Sequence, residues 1–506
     1  MNLTKQNSAT TTTRLNGLRQ WFPISLILLL AANLYFYQLG RESFWIDEIY
    51  SIRDVKTGQG LPPNNLGRPL YYIFLSVWIH FGTSDAWLRS LAVIFALGSV
   101  FMTYLIGSRL VGKPEGLLAA LLLTLSPLFI NHAQEVRMYS LCAFLGLAGT
   151  LVITYTIERP TNFWIGSWAC LRFLAIMTVP LNVTLLIPDL VLVGLKFRKQ
   201  TSVLFAFGKW LLLICILWTP CVLLKLVPST VEFSTIPTQV VRPAPSLVDF
   251  VRILRIFTAW PFRIEPNTAF AWLCKVFVLI LIALVGMALI RKHRSGKLFW
   301  VAAWGLMPLA QIFLASNIFF SIWLDRYLLF TSPYLLIILA AGFMLVWRQG
   351  RILAFMAALV YLLTVGNGLV HYYTVQKHTD FRGMVQTIKT NEKSGDVVVW
   401  AIESWISTEP LVHYDHGSAE IIVEPRVPST KKSDKQDIEN WITKLPPIES
   451  RLWLVCHLNE RNTQEFIDLL QETFNIQKHD KFTDGKGVYP YHVFLVTPRS
   501  VAVKVD

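Results

Sequence analysis

The sequence predicts an α-helical polytopic membrane protein of about eleven transmembrane helices, with an extracytoplasmic α/β domain at its C-terminus. Three observations lead there. The 506 residues are 54% hydrophobic and only 15% charged, with a mean hydropathy of +0.47, values of a chain built for lipid. Apolar runs long enough to span, at about 20 residues each, recur as far as residue 370. The charge also has a location: residues 1–370 carry 30 basic and 13 acidic groups, whereas residues 371–506 carry 16 and 19. A basic excess confined to the membrane part marks positive loops on the cytoplasmic side rather than nucleic-acid binding, and no nucleic-acid partner is expected.

Residues 1–20 are polar and Thr-rich, with Lys5, Arg14 and Arg19, and read as a short disordered cytoplasmic tail. The run Trp21–Leu39 has no small-residue cleavage site and reads as a retained signal-anchor. Further spans fall near 88–110, 117–134, 138–157, 163–180, 184–195, 203–223, 270–290, 298–316, 327–346 and 352–370. With the N-terminus inside, the cytoplasmic loops hold Lys113, Arg159, Lys196, Arg198, Lys199, Arg291, Lys292, Arg294, Lys297, Arg348 and Arg351 against two acids, Glu115 and Glu158. That bias sets the orientation and places residues 371–506 outside. The membrane domain is therefore 21–370.

Two outer loops are long. In the first, 40–87, the stretch Leu70–His80 is apolar but short for a span and suits an interfacial helix. The second, about 224–269, carries Arg242, Arg252, Arg255 and Arg263. Either simple solvation or an anionic partner accounts for them. Beyond His371, Gly395–Trp400, Arg451–Cys456 and Tyr491–Val496 read as strands and Thr463–Phe474 as a helix with Phe466, Leu469, Leu470 and Phe474 on one face, together a small α/β layer domain. No glycine fingerprint for a nucleotide accompanies it. Five of the six cysteines lie in apolar runs with no C-x-x-C pair, so buried small side chains are expected.

The chemistry concentrates at Ser43-Phe44-Trp45-Ile46-Asp47-Glu48-Ile49-Tyr50-Ser51, just after the first span. An acidic pair at a membrane edge is costly unless it is hydrated, paired or used. Three other polar clusters share that face: Arg68-Pro69-Leu70-Tyr71-Tyr72, His132 to Tyr139, and Asp325-Arg326-Tyr327. Carboxylate to activate a hydroxyl, with Arg and Tyr to hold a phosphate, suits group transfer from an anionic lipid.

These residues resemble the GT-C superfamily, and within it the protein-mannosyltransferase-like glycosyltransferase family 39, which includes the bacterial aminoarabinose transferase of lipid A. The likeness rests on W-x-D-E (Trp45, Asp47, Glu48), R-P-L-Y-Y (Arg68 to Tyr72), R-x-Y-S-L (Arg137, Tyr139, Ser140, Leu141), D-R-Y-L (Asp325 to Leu328) and F-R-G…G-D-V-V-V (Phe381, Arg382, Gly383, Gly395, Asp396), and covers residues 20 to about 400. It implies an inverting enzyme that uses a polyprenyl-phosphate-linked sugar donor, with a glycolipid, polysaccharide or protein acceptor. The lack of an organelle signal and the short loops favour a bacterial inner membrane with the reaction on the periplasmic side, and an endoplasmic reticulum location is topologically equivalent. Asp47 maps to the general base, with Glu48 beside it. Arg68, Tyr71, Arg137, Tyr139 and Arg326 are candidates to bind the donor phosphate. Arg68 stands where many relatives carry His or Lys.

Other readings compete. Asp47 and Glu48 also fit a solvated loop start, and Glu48 a helix cap. Arg137 and Tyr139 also fit interface anchors, and Arg326 a partner for Asp325. His132, Glu135 and Asp47 have no spacing that fixes a divalent metal, so the cofactor is unknown. Asn182 fits a helix end or a substrate contact. A transporter of lipid-linked saccharide would use ionisable residues within spans, of which Arg172, Asp189, Lys209 and Lys225 are the few candidates. A membrane scaffold whose outer domain binds a partner is the third class.

Overall fold

The computed structural model describes residues 3–499 except 66, 227–242, 260–267, 291–296, 403–405, 429–434, 446–450, 459–462 and 484–489. Arg242, Arg263, Arg291, Lys292 and Arg294 lie outside the described residues. The chain divides into two units: residues 1–39 with 55–371, and residues 40–54 with 372–506.

The first unit is helical throughout. Among the described residues eight helices are long and apolar enough to cross a membrane, or nine if the pair Lys113–Thr124 and Pro127–Ala133, bent by 66°, counts as one span. The two remaining expected spans are helical but shorter. The apolar part of the first helix is Gln20–Phe36, and Asn162–Ile176 has 15 residues, or about 23 Å at 1.5 Å per residue against a hydrocarbon core of about 30 Å. The first helix begins at Leu3, so the tail continues as helix rather than ending before the apolar run. Once a helix is nucleated, extending it costs little per residue.

Close packing of this unit depends on small residues. A Cβ on Gly107 would lie 2.8 Å from the Gly116 Cα, which draws helix Asp85–Leu110 against Lys113–Thr124. The 66° bend falls at Leu125-Ser126-Pro127. Ser126 caps the second piece by accepting from the Phe129 amide (3.3 Å), and its hydroxyl donates to the Phe257 carbonyl (2.6 Å). Pro127 follows, where a missing amide hydrogen costs nothing. The stretch Leu70–His80 is a separate helix, Pro69–Trp78 with a 3-10 turn to Phe81, too short to span. The second outer loop contains a helix, Leu247–Ala259, on which Arg252 pairs with Asp249 at 3.1 Å.

The second unit is a five-stranded mixed sheet with helices. The strands are β1 (Val397–Ala401), β2 (Glu420–Val423), β3 (Leu452–His457), β4 (Phe474–Phe482) and β5 (Tyr491–Pro498). Their order is β2-β1-β3-β5-β4, parallel among the first three and antiparallel at β3–β5 and β5–β4. Helix Thr463–Thr473 lays Phe466, Leu469 and Leu470 on the core with Leu452, Leu454 and Phe494, as the helical pattern predicted. Phe474, expected to end that helix, instead opens β4.

His492 on β5 is only 1% exposed, and its Nδ1 lies 2.7 Å from His479 Nε2. Burial pushes the His492 pKa down from 6.5 to about 3, helped by the nearby His479, Lys481 and His457. The unfolded chain therefore takes up the proton first, and folded stability falls as pH drops below about 6.5. One pKa unit corresponds to about 1.4 kcal/mol. Hydrogen exchange of the full-length protein should show β4 and β5 amides losing protection from pH 7 to pH 5 beyond the intrinsic rate change. His492→Phe should reduce that extra loss, and the remainder belongs to His479, whose pKa burial also lowers.

Candidate active site

The acidic strip belongs to the second unit. Helix Ile46–Lys56 carries Asp47 and Glu48 in its first turn. Asp47 is half-buried, and its carbonyl accepts from the Ser51 hydroxyl at 2.9 Å. Glu48 is fully buried, and its Oε2 accepts from the Trp45 amide at 3.2 Å. That contact is the N3-to-N-cap half of a capping box. The capping reading of Glu48 is thus realised, and it fixes the turn that presents Asp47.

Residues more than three hundred positions away hold the strip in place. Ser43 Oγ donates to the Thr379 carbonyl at 3.0 Å and lies 3.1 Å from the Phe381 amide. Arg382 donates to the carbonyls of Gly40 and Glu42, both at 3.3 Å. The Phe44 amide donates to the Tyr414 hydroxyl at 2.7 Å, and the Ser407 amide to the Tyr50 hydroxyl at 3.0 Å. Trp45 stacks on His378 with ring centres 5.4 Å apart. The W-x-D-E and F-R-G stretches, separate in sequence, are therefore one packed structure. Tyr414, His378 and Ser407 had no sequence signal, because nothing local marks a contact made across such a separation.

The remaining candidates lie in the first unit. Arg68 is the N-cap residue of helix Pro69–Trp78, and Tyr71 and Tyr72 are buried on that helix with ring centres 6.1 Å apart. The Leu70 amide contacts the Met177 carbonyl at 3.5 Å. Arg137, Tyr139 and Arg326 come together. The Arg137 guanidinium is 6.0 Å from the Tyr139 ring centre, Tyr139 is 6.4 Å from Tyr327, and Arg326 is 5.6 Å from Tyr327. The charges of Arg137 and Arg326 both act on the Tyr139 hydroxyl. That hydroxyl is buried and has no hydrogen-bond partner among the described residues. An unsatisfied buried hydroxyl beside two guanidiniums calls for explanation.

The bend at Ser126 turns His132 back onto this cluster, with its ring 5.1 Å from that of Tyr139. His132 Nδ1 lies 2.9 Å from Glu135 Oε2, and Asn131 also donates to that carboxylate. Among the described residues no group of three or more His, Cys, Asp or Glu side chains is placed to hold a metal ion. Asn182, in the 3-10 turn Pro180–Leu185, is fully buried and donates to Cys142 Sγ and to the Val179 carbonyl.

Two ionisable residues within the spans form a closed structural clasp. Arg172 and Asp189 are fully buried and paired at 2.7 Å. Asp189 also accepts from the indole nitrogens of Trp168 and Trp304, each at 2.7 Å. Arg172 donates to the Gly146 carbonyl and to Thr150 Oγ1, and Tyr334 closes the network on Thr150 at 2.7 Å. A Cβ on Gly149 would lie 3.0 Å from Arg172 Nη1, so a glycine there makes room for the guanidinium. Lys209 lies over the Phe205 ring at 4.7 Å, and the Lys225 side chain is outside the described residues.

No family model matches the sequence, and no curated protein matches it. Solved structures do. ArnT from Cupriavidus metallidurans bound to undecaprenyl phosphate superposes with a TM-score of 0.55 at 12% identity, over 93% of this chain and 97% of that one. The Archaeoglobus fulgidus oligosaccharyltransferase in its apo form gives 0.53 at 11%, over 96% and 75%. The archaeal oligosaccharyltransferase AglB from the same organism, in complex with an inhibitory peptide and a dolichol-phosphate, gives 0.51 at 11%, over 95% and 77%. At such identities the likeness is one of architecture, a helical membrane unit followed by a C-terminal sheet domain. The chain has the GT-C fold.

Proposed function

We propose that this protein is an integral-membrane glycosyltransferase that moves a sugar from a polyprenyl-phosphate donor to an acceptor hydroxyl. The observation that carries the reading is the buried Tyr139 hydroxyl, without a hydrogen-bond partner among the described residues, beside Arg137 and Arg326, in a fold shared with a protein solved with undecaprenyl phosphate. Two guanidiniums and a phenol suit a lipid phosphate: charge-assisted bonds from Arg, and one hydroxyl donor in a low-dielectric setting.

In the proposed reaction the Asp47 carboxylate takes the proton of the acceptor hydroxyl. The acceptor oxygen attacks the anomeric carbon as the bond to the phosphate oxygen breaks. Polyprenyl phosphate leaves and configuration inverts. Arg137 and Arg326, with Arg68 and Tyr71 as further donor contacts, offset the charge that builds on the departing phosphate. Glu48 acts on Asp47 through the turn that it caps. The loop charges support an N-terminus on the cytoplasmic side, and the proposed location is a bacterial inner membrane with the reaction on its periplasmic face. The proposed catalytic membrane domain is residues 21–370, followed by the α/β domain 371–506.

The test is transfer from a panel of polyprenyl-phosphate hexoses and pentoses by the purified protein in nanodiscs. Arg137→Gln or Arg326→Gln should raise the donor KM and lower kcat/KM roughly ten- to a hundred-fold, the range of one to three kcal/mol for a lost charged hydrogen bond. Unchanged donor kinetics in both variants would contradict the assignment of the phosphate site.

A further inference from the structure

The membrane unit has a cavity at the opposite end of helix Tyr139–Glu158 from Tyr139. Helix Tyr139–Glu158 has 20 residues, about 30 Å at 1.5 Å per residue, with the arginine–tyrosine cluster at its first residue and this cavity at its last. The cavity holds about 600 Å³. Arg109, Lys196 and Lys297 bring cations to it, and Glu158 is the single acid among its lining residues.

Glu158 is already neutralised. Arg109 pairs with it at 2.6 Å, donates to Thr154 Oγ1 at 2.9 Å and sits over the Tyr155 ring at 3.8 Å. Three contacts fix that guanidinium. Lys196 and Lys297 are exposed, and among the described residues neither pairs with an acid. Among the described residues, two lysines without an acidic partner therefore line a cavity that also has apolar walls. Leu192 and Phe197 are buried there and Trp300 and Trp304 complete the wall. Two lysines in one cavity with tryptophan and phenylalanine in its lining match an amphiphile with an anionic head, not a free sugar.

We propose that this cavity binds a phosphate-bearing headgroup, with Lys196 and Lys297 on the phosphate and the wall of Trp300 and Phe197 on the apolar part that follows it. The shared chemistry is a phosphate ester. Its source is either an anionic membrane lipid or a soluble phosphate, and the apolar wall favours the lipid. A basic pocket between helix ends is a general solution for anionic lipid headgroups. This site is separate from the proposed donor site and does not depend on the transferase reading.

The experiment is native mass spectrometry of the delipidated full-length protein, titrated with phosphatidylglycerol, with phosphatidylcholine and with inorganic phosphate. The wild type should retain phosphatidylglycerol over phosphatidylcholine. Lys196→Gln/Lys297→Gln should weaken that retention ten-fold or more. Lys113→Gln/Arg351→Gln, which removes two charges from the same end outside the cavity, should leave it unchanged. Inorganic phosphate binding that the Lys196/Lys297 variant loses, without lipid preference, would support the phosphate chemistry and assign a soluble source. Equal retention by wild type and the Lys196/Lys297 variant, equal loss in the control pair, or no binding of either anion would overturn the proposal. Retained transfer activity in the Lys196/Lys297 variant keeps the two sites distinguishable.

Discussion

Asp47→Asn should lower the transfer rate by about 10²–10⁴-fold, the usual contribution of a positioned general base, while leaving thermal unfolding within about 0.5 kcal/mol of wild type. The two effects separate because Asp47 is half-buried and the turn around it is held by other groups: Glu48 on the Trp45 amide, Arg382 on the Gly40 and Glu42 carbonyls, and Trp45 on His378. The amide of Asn keeps the shape and removes the proton acceptor. Glu48→Gln is the instructive comparison. It keeps an acceptor for the Trp45 amide and removes its charge, and should reduce kcat moderately with a stability change of about 1 kcal/mol. A variant series in which Asp47→Asn retained full transfer would leave the acidic strip as a solvated helix start.

Asp189→Ala should destabilise the membrane unit by about 3–5 kcal/mol, the range for removing one partner of a buried ion pair. The substitution strands the Arg172 guanidinium and the Trp168 and Trp304 indoles together, because all of them donate to the Asp189 carboxylate. Exchanging both charges at once, as Arg172→Met with Asp189→Leu, should recover much of that loss, since an apolar pair leaves no unpaired charge. Thermal unfolding in detergent reads both. The same pair does not suit a transport role. A residue that must bind and release a substrate or an ion needs a changing set of partners, whereas both oxygens of Asp189 are already engaged and the pair is sealed at 0% exposure. If the double variant folded normally yet lost transfer, the clasp would have a role beyond holding five helices.

The sequence made most of the architecture legible because lipid simplifies the problem. A spanning segment must be apolar and helical whatever its neighbours, so spans could be read one at a time. At Gln20–Phe36 and Asn162–Ile176 the apolar helical stretches are shorter than the expected spans, because apolar composition alone does not mark where a helix stops. In the C-terminal domain β1, β3 and β5 were legible because central strands buried on both faces read as continuous apolar runs. The edge strands β2 and β4 were not. β4 alternates Phe474, Ile476 and later polar positions such as Lys478, Asp480 and Lys481, which hides an edge strand among charged residues. The bend at Ser126 was read as one straight span, though Ser-Pro at that point is a local signal for it.

The candidate site was legible in its residue types and only partly in its grouping. Arg137, Tyr139 and Arg326 gather as their shared place at span ends suggested. Asp47 and Glu48 were placed with the first outer loop, whereas they pack with the C-terminal domain. No periodicity announces that, because the contacts that fix the strip come from Thr379, Phe381, Arg382 and Tyr414. Arg172 and Asp189 were visible as rare charges within spans. Their pairing follows from a rule of lipid, that charges there find each other.

The measurement that tests the central claim most directly is a density map of the purified protein in nanodiscs with a polyprenyl phosphate bound. The expected result is the phosphate within hydrogen-bonding reach of Arg137, Arg326 or Arg68, with the Tyr139 hydroxyl directed at it. A phosphate bound elsewhere would contradict the claim.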